Sequence, residues 1–413
     1  MRLERKTSGE CILYCKFDIL CHSIFWGNMK SSWIIEKEAK EKDEKKKIKK
    51  RIDLKFFILL LSLLTIGSLM IFSASFPYAS SHFNDGFYYI KRHLIFLTIG
   101  IGMMLFFSKI KIDFYKKISP IVYGVCLVLL VLVLFGGFSE GVAKRWLGIP
   151  GTPLSFQPSE LMKLGVILML SWYSDKFKEM KQNMLTEIIV PGVILLFACG
   201  LVMLEKHLSG TIILAMIGAS VLFLSGVNIA KMIITYGGCG VIGGGIFLLT
   251  NSYALKRIES FFNPNADILS DKWQTTQGLY AAGSGGLWGI GFFNSRQKYS
   301  YVSEPQNDFI FTIFCEEMGF IGATVVVILF FLLILRGYQI AFRVKDTYSR
   351  LVAFGITTQI GIQAFLNMMV VLDLLPNTGI SLPFFSYGGS SLVILLIEMG
   401  ILLSISKNSK LAN

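Results

Sequence analysis

Four carboxylates fall in one stretch of the chain, Glu304 to Gly319, which reads EPQNDFIFTIFCEEMG, and three of them stand at or inside an apolar run. Asp308 stands at the mouth of an apolar run that continues to about Leu335, and Glu316 and Glu317 lie inside it. A carboxylate held at or below a bilayer surface costs on the order of 2.5–3.5 kcal/mol on insertion scales unless something offsets it. Such a group either pairs with neighbouring helices or does proton chemistry. The proton-chemistry reading, a general base, fits Asp308 best because it sits at the edge of the run. Glu316 and Glu317 read more plainly as polar groups that satisfy neighbouring helices. Asp308 to Glu316 is eight residues, about 80° around a helix at about 100° per residue, and Asp308 to Glu317 is about 180°. On that geometry Glu316 shares a cavity with Asp308 and Glu317 faces elsewhere.

Four further polar motifs accompany this stretch. Lys144, Arg145 and Trp146 precede Gln157, Ser159, Glu160 and Lys163. Glu160 and Lys163 are spaced i, i+3, so they can pair on one helix face. A lysine one turn into a membrane needs an anion or a wet cavity. The second motif is Glu205-Lys206-His207. The third runs from Asn294 through Arg296, Gln297 and Lys298 to Asp308. The fourth covers Pro376 to Pro383, then Ser386 to Ser391 with Gly388 and Gly389. That glycine pair lets the backbone approach a polar headgroup or allows close helix packing. His82 and His93 read as interfacial. Cys11, Cys15, Cys21 and His22 match no zinc spacing.

The elements that must position these residues are membrane helices. Hydrophobic residues make up 53% of the 413, mean hydropathy is +0.60 and only 16% are charged. That composition excludes a soluble globular domain. The net charge of +13 belongs to a basic tail and short loops, where it sets topology, and is no signal for nucleic acid. The expected fold is an all-α polytopic membrane protein with ten spans, near 56–75, 90–107, 119–137, 159–174, 187–204, 209–226, 229–249, 309–335, 350–371 and 389–406. Basic segments at 109–117, 175–183 and 336–350 fall on one side with the N-terminal tail and with the C-terminal tail at 407–413, which places both termini in the cytoplasm. The polar motifs then face outward, and the glycine- and tryptophan-bearing stretch 250–308 becomes a large, structured, partly re-entrant outer loop between the seventh and eighth spans. Residues 1–55 form the basic tail and 56–406 the membrane domain; Met29 reads as the true start, with 1–28 an over-called extension.

The long motifs carry a resemblance. KRWLGIPG, SFQPSELMKL, GLWGIGFFNSRQKYSYVSEPQNDFIFTIFCEEMGFIG and NTGISLPFFSYGGSSL are similar to those of the SEDS family, the FtsW/RodA/SpoVE group, over roughly 56–406. The run SRQKY resembles the division and sporulation branch. The resemblance implies a ten-helix bundle with cytoplasmic ends and peptidoglycan glycosyltransferase activity on lipid II. It makes Asp308 the residue on which activity depends. It also implies a class B penicillin-binding protein, a transpeptidase, as partner, together with divisome proteins. One departure is visible: the turn before the sixth span commonly carries Pro-Asp-Leu, and here it is Lys206-His207-Leu208.

Lipid II chemistry needs a base, cations for a diphosphate and a lipid-facing groove. Asp308 supplies the base. Lys144, Arg145, Lys163 and Lys298, with Gln297, are the candidates for the diphosphate, and a divalent cation such as Mg2+ or Mn2+ would serve the same end. Glu160, Glu316, Ser386, Gly388 and Gly389 complete the expected polar cavity. Two other classes fit the spans: a flippase moving the lipid-linked precursor, and a non-catalytic scaffold that recruits the transpeptidase. The one-sided polar cluster and the lack of an inverted repeat weigh against a flippase.

Overall fold

The computed structural model describes residues 52–139, 144–148, 155–177, 183–250, 252–263, 272–299 and 301–407. The basic tail, its cysteines, the Met29 start and the last six residues lie outside the described residues.

Twelve helices are described: α1 Leu54–Phe83, α2 Tyr88–Phe107, α3 Ile112–Gly136, α4 Pro158–Lys176, α5 Leu185–Leu204, α6 Leu208–Leu224, α7 Ile229–Leu249, α8 Ser252–Phe262, α9 Trp273–Ser284, α10 Ile310–Arg343, α11 Thr347–Val371 and α12 Gly389–Ser406. Eight of them (α1, α2, α3, α5, α7, α10, α11 and α12) are long and apolar enough to cross a membrane. The protein is therefore a multi-pass helical membrane protein. The helix α6 is apolar but shorter, and α4 carries Glu160, Lys163, Asp175 and Lys176 within its 19 residues. The sequence places an outer loop at 250–308, but that stretch holds two helices, α8 and α9, so its glycines do not exclude helix. The fold is not purely α either. Strands β1 Phe138–Ser139, β2 Lys144–Gly148 and β3 Ser155–Phe156 form a small antiparallel sheet in the order β1-β2-β3.

Local sequence explains the helix ends. Pro158 opens α4, where its missing N–H would have no partner anyway. Asn84 closes α1 in the left-handed region at φ 54°. Asp53 caps α1 by accepting from the Phe56 N–H at 3.0 Å, and its carboxylate also binds the Arg336 guanidinium at 2.8 Å. One acid thus joins the start of one helix to the last turns of another. The basic stretch 336–350 is not a loop, because α10 continues to Arg343 and only a short turn precedes α11.

Two cores hold the bundle. The larger gathers buried residues of α1, α10, α11 and α12, among them Leu60, Phe330, Ile356 and Leu402. The smaller, around Cys126, Val166, Ala198 and Leu214, belongs to α3 to α6. Large apolar side chains also line the outside, for example Phe135, Ile121, Val193 and Phe331. That is the distribution expected where the surrounding solvent is lipid.

One break matters for the site. At Gly319, α10 leaves helical geometry with φ 67° and ψ −171°. Carbonyls that lose their helical partners must find others. The segment 285–291 supplies them: the Ile290 and Gly291 N–H groups donate to the Glu316 and Glu317 carbonyls at 3.0 and 3.1 Å. In return the Phe320 and Ile321 N–H groups donate to the Gly286 and Leu287 carbonyls at 2.9 and 3.2 Å. The glycine-rich segment is a plug in a broken helix.

Candidate active site

Asp308 lies in the turn that leads into α10, with Phe309 as the cap residue. Its position is set from α11. Asn367 is fully buried, and its side-chain amide donates to the Asp308 carbonyl at 2.7 Å and to the Ile380 carbonyl at 2.7 Å. A second tie joins the same two loops, where the Tyr387 N–H donates to the Gln306 carbonyl at 2.9 Å. The facing wall contains Gly379 at φ 65°, and a Cβ there would lie 3.5 Å from the Asp308 Oδ2. Arg257 of α8 donates to the Asn377 carbonyl at 2.9 Å on the same wall. Burial raises the Asp308 pKa to about 6; Arg257 opposes the rise and Glu304 adds to it.

Beside this loop pair opens a polar cleft of about 700 Å³. Gln306, Asn307 and Gly379, the neighbours of Asp308, line it, and Asp308 itself stands just behind them. Glu160 and Lys163 stand on the α4 wall, joined at 2.7 Å, with Lys163 nearly buried. Gly388 and Gly389 open α12 on another wall. Arg92 of α2 also lines the cleft, its guanidinium 4.2 Å over the Tyr88 ring. Arg145 donates to the Lys206 carbonyl at 2.6 Å, next to Trp146 of the cleft. His207 is buried in the wall, its Nδ1 3.3 Å from the Gln157 amide nitrogen and 3.4 Å from the Ser159 hydroxyl. Burial, with Arg145 and Lys163 close by, pushes its pKa down to about 3, so it is a neutral imidazole. Burial pushes the neighbouring Glu205 up to about 8 against the pull of Arg145.

Several expected members stand elsewhere. Glu316 and Glu317 are both buried away from the cleft lining and grip the 293–298 loop. Glu316 accepts from the Arg296 N–H at 3.0 Å, the Gln297 N–H at 3.4 Å and the Ser295 hydroxyl. Glu317 accepts from the Ser73 hydroxyl at 2.6 Å and pairs with Lys298 at 3.0 Å. Lys298 is buried as well, donates to the Phe293 carbonyl at 2.7 Å and lies 4.1 Å over the Phe293 ring. Glu316, Gln297 and Lys298 therefore do not line the cleft. The expected 80° relation fails because Asp308 precedes the helix. Ser386 lines a smaller adjoining void and accepts from the Leu382 N–H at 2.7 Å. His93 is buried within α2 against Ser68 at 3.1 Å, not interfacial. The Lys144 side chain lies outside the described residues. Among the described residues no group of three or more His, Cys, Asp or Glu is placed to hold a metal.

The sequence reading missed Arg92, Arg257, Gln363 and Asn367. A signal existed for the last two. Gln359, Gln363 and Asn367 recur every fourth residue in an apolar span, which marks one polar face of α11. Gln359 binds Glu398 of α12 at 2.8 and 3.0 Å, Gln363 lines the cleft, and Asn367 holds Asp308.

A bundle of membrane helices with a polar cleft, an ion pair in its wall and an acid beside its lining defines a class: polytopic membrane proteins with a polar site set among apolar helices. The chain belongs to the FtsW/RodA/SpoVE family, described as cell cycle proteins, whose model matches residues 54–411. It is 40% identical over 365 residues to the stage V sporulation protein E of Bacillus subtilis, covering 87% of this chain and 98% of that one. It is 37% identical over 366 residues to a probable peptidoglycan glycosyltransferase FtsW of Trichlorobacter lovleyi, covering 87% and 94%. The fold is like that of the Thermus thermophilus rod shape determining protein RodA, with TM-score 0.65, 24% identity and coverage of 87% and 98%. A chain of a peptidoglycan synthase complex that coordinates polymerization and crosslinking matches at TM-score 0.71 and 22% identity, with coverage of 87% and 99%.

Proposed function

We propose that this protein is a peptidoglycan glycosyltransferase that polymerises lipid II at the outer leaflet, in division or sporulation septum synthesis. One observation carries the reading: a polar cleft of about 700 Å³ within an otherwise apolar bundle, lined by the residues on either side of a half-buried acid, Asp308. The names of the FtsW relatives supply the reaction class, and that of the stage V sporulation protein the sporulation role. In this reading α4 and α6 also cross the membrane, giving ten spans, and both termini are cytoplasmic. The cleft and the 250–308 segment then face outward. The partner is a class B penicillin-binding protein, a reading supported by the likeness to a chain that works within a peptidoglycan synthase complex.

The chemistry follows from the residues. Asp308 accepts the proton of the acceptor sugar's hydroxyl as that oxygen attacks the donor's anomeric carbon. The bond to the lipid diphosphate breaks and the anomeric centre inverts. A positioned base of this kind contributes about 10²–10⁴-fold. The departing diphosphate gains charge, and Lys163 and Arg92 in the cleft with Arg145 at its rim are the cations placed to stabilise it. Lys298 has no part here, since it is fully buried between Glu317 and Phe293 and does not line the cleft. A divalent cation bound with the substrate would add a further positive charge at the diphosphate.

The test uses purified protein with a class B transpeptidase and labelled lipid II in detergent, where no transport is needed. Glycan polymer is expected from the wild type and none above background from Asp308→Ala. Normal polymer from Asp308→Ala refutes the base assignment. No polymer from the wild type, with or without added Mg2+ or Mn2+, favours the flippase. A chelator that stops synthesis establishes the cation.

A further inference from the structure

We infer that Asn367 is the positioning residue of this site, a two-pronged clamp that fixes the Asp308 carboxylate against the Gly379 wall. The inference rests on the reading of Asp308 as the base.

The geometry requires an amide at this place. Two main-chain carbonyls from different loops, those of Asp308 and Ile380, converge on one nitrogen at 2.7 Å each. Only a nitrogen carrying two hydrogens satisfies both, so the amide's orientation follows from its acceptors. Asn367 is fully buried, and its Oδ1 has no hydrogen-bond partner among the described residues. The side chain completes no network of its own; both donors serve the loops. Buried carbonyls are costly to leave unpaired. Removing the donors therefore loosens the contact between the two loops rather than the helix that bears Asn367. The helix α11 also sends Gln363, one turn away, to the cleft. One rigid face thus sets both the floor of the cleft and the height of its acid.

A base displaced by about 1 Å costs on the order of 10²-fold in turnover without weakening binding. Such a loss appears in kcat and kcat/KM alike, with KM unchanged. Opening the loop pair also admits water to the carboxylate. The charged groups facing Asp308 are Arg257 and Glu304, and neither moves with Asn367.

The test is steady-state polymerisation of lipid II by the full chain carrying Asn367→Asp, which keeps the shape and loses the paired donors, and Asn367→Ser, which keeps one donor. The aspartate variant is expected to lose roughly 10–100-fold in kcat with KM within about twofold, and the serine variant less. The acid limb of the serine variant's pH profile, where no new charge enters beside Asp308, is expected to move downward, which a general loss of folded protein would not produce. A kcat within about twofold of wild type for both variants, or a loss confined to KM, overturns the clamp. If the aspartate variant does not fold, the serine variant decides by the same criteria. Asp308→Ala, run alongside, separates the two ideas. If it is inactive while both Asn367 variants are normal, the clamp alone falls. If it is active, the base assignment falls and the clamp with it.

Discussion

At the scale of single residues, burial sorts the acids into roles. Asp308 is half-buried with its carboxylate facing Gly379, while Glu316 and Glu317 are gripped by donors. The pH dependence follows from the sign of the Asp308 shift. Its pKa is raised to about 6, so the proton-accepting form is lost as pH falls through that value. The kcat profile is expected to fall below about pH 6. Arg257 lowers this pKa, so Arg257→Gln is expected to move the limb upward, read from kcat across the acid-to-neutral range. An unmoved limb would remove Arg257 from the site's electrostatics. The Lys298–Glu317 pair makes the opposite kind of prediction. Glu317→Ala leaves a buried charge unpaired, which typically costs about 3–5 kcal/mol, so the melting temperature of the purified protein should drop sharply. Joint replacement with Lys298→Met should recover much of it. The motif SRQKY marks Lys298 in the sequence, but nothing in a string of residues says which of two nearby acids it will meet.

At the scale of elements, the departure from expectation is the break in α10. The spacing reads 309–335 as one uninterrupted span, and the apolar run is indeed continuous. Hydrophobic period reports which residues meet lipid or core. It does not report whether each carbonyl finds its partner four residues on. Gly319 alone in a helix is an ordinary membrane glycine; only its meeting with segment 285–291 makes it a breakpoint. The result is a short half-helix, Ile310 to Met318, with Asp308 just before its N-terminal end and the loop-gripping glutamates at its C-terminal end. Gly319 at φ 67° and ψ −171° occupies backbone space essentially reserved for glycine, and a side chain forced there costs of order 1–3 kcal/mol. Gly319→Ala is expected to lower the melting temperature and polymerising activity together. An alanine variant of wild-type stability would mean that α10 can straighten and shed its plug. The spans themselves are largely legible in the sequence: α11 and α12 sit where the apolar runs put them, within a turn at each end, and α10 starts where its run does. The helices α8 and α9 are not, because glycine and polar residues hide their short periods.

At the scale of the whole molecule, charge and chemistry divide between two faces. The cleft, the small sheet and the turn 304–309 gather at one end of the bundle. Asp53, Arg336, Asp346 and the Ser108–Lys407 contact gather at the other. Basic segments collect on the face that stays in the cytoplasm, so the second end is assigned inward and the cleft outward. This assignment needs only the lysines and arginines of the sequence, whereas the closure of the cleft by residues as distant as Arg92, Glu160, His207 and Gly388 needs the fold. It can be checked without any assay of activity. Cysteines placed at exposed Arg296 and at exposed Lys345, in a chain freed of its own cysteines, report the two faces. A membrane-impermeant maleimide is expected to label position 296 in intact cells and position 345 only after permeabilisation. The reverse pattern would put Asp308 on the cytoplasmic side. There the acceptor strand of an external wall cannot reach it, and a role in handling the precursor before export would have to replace polymerisation.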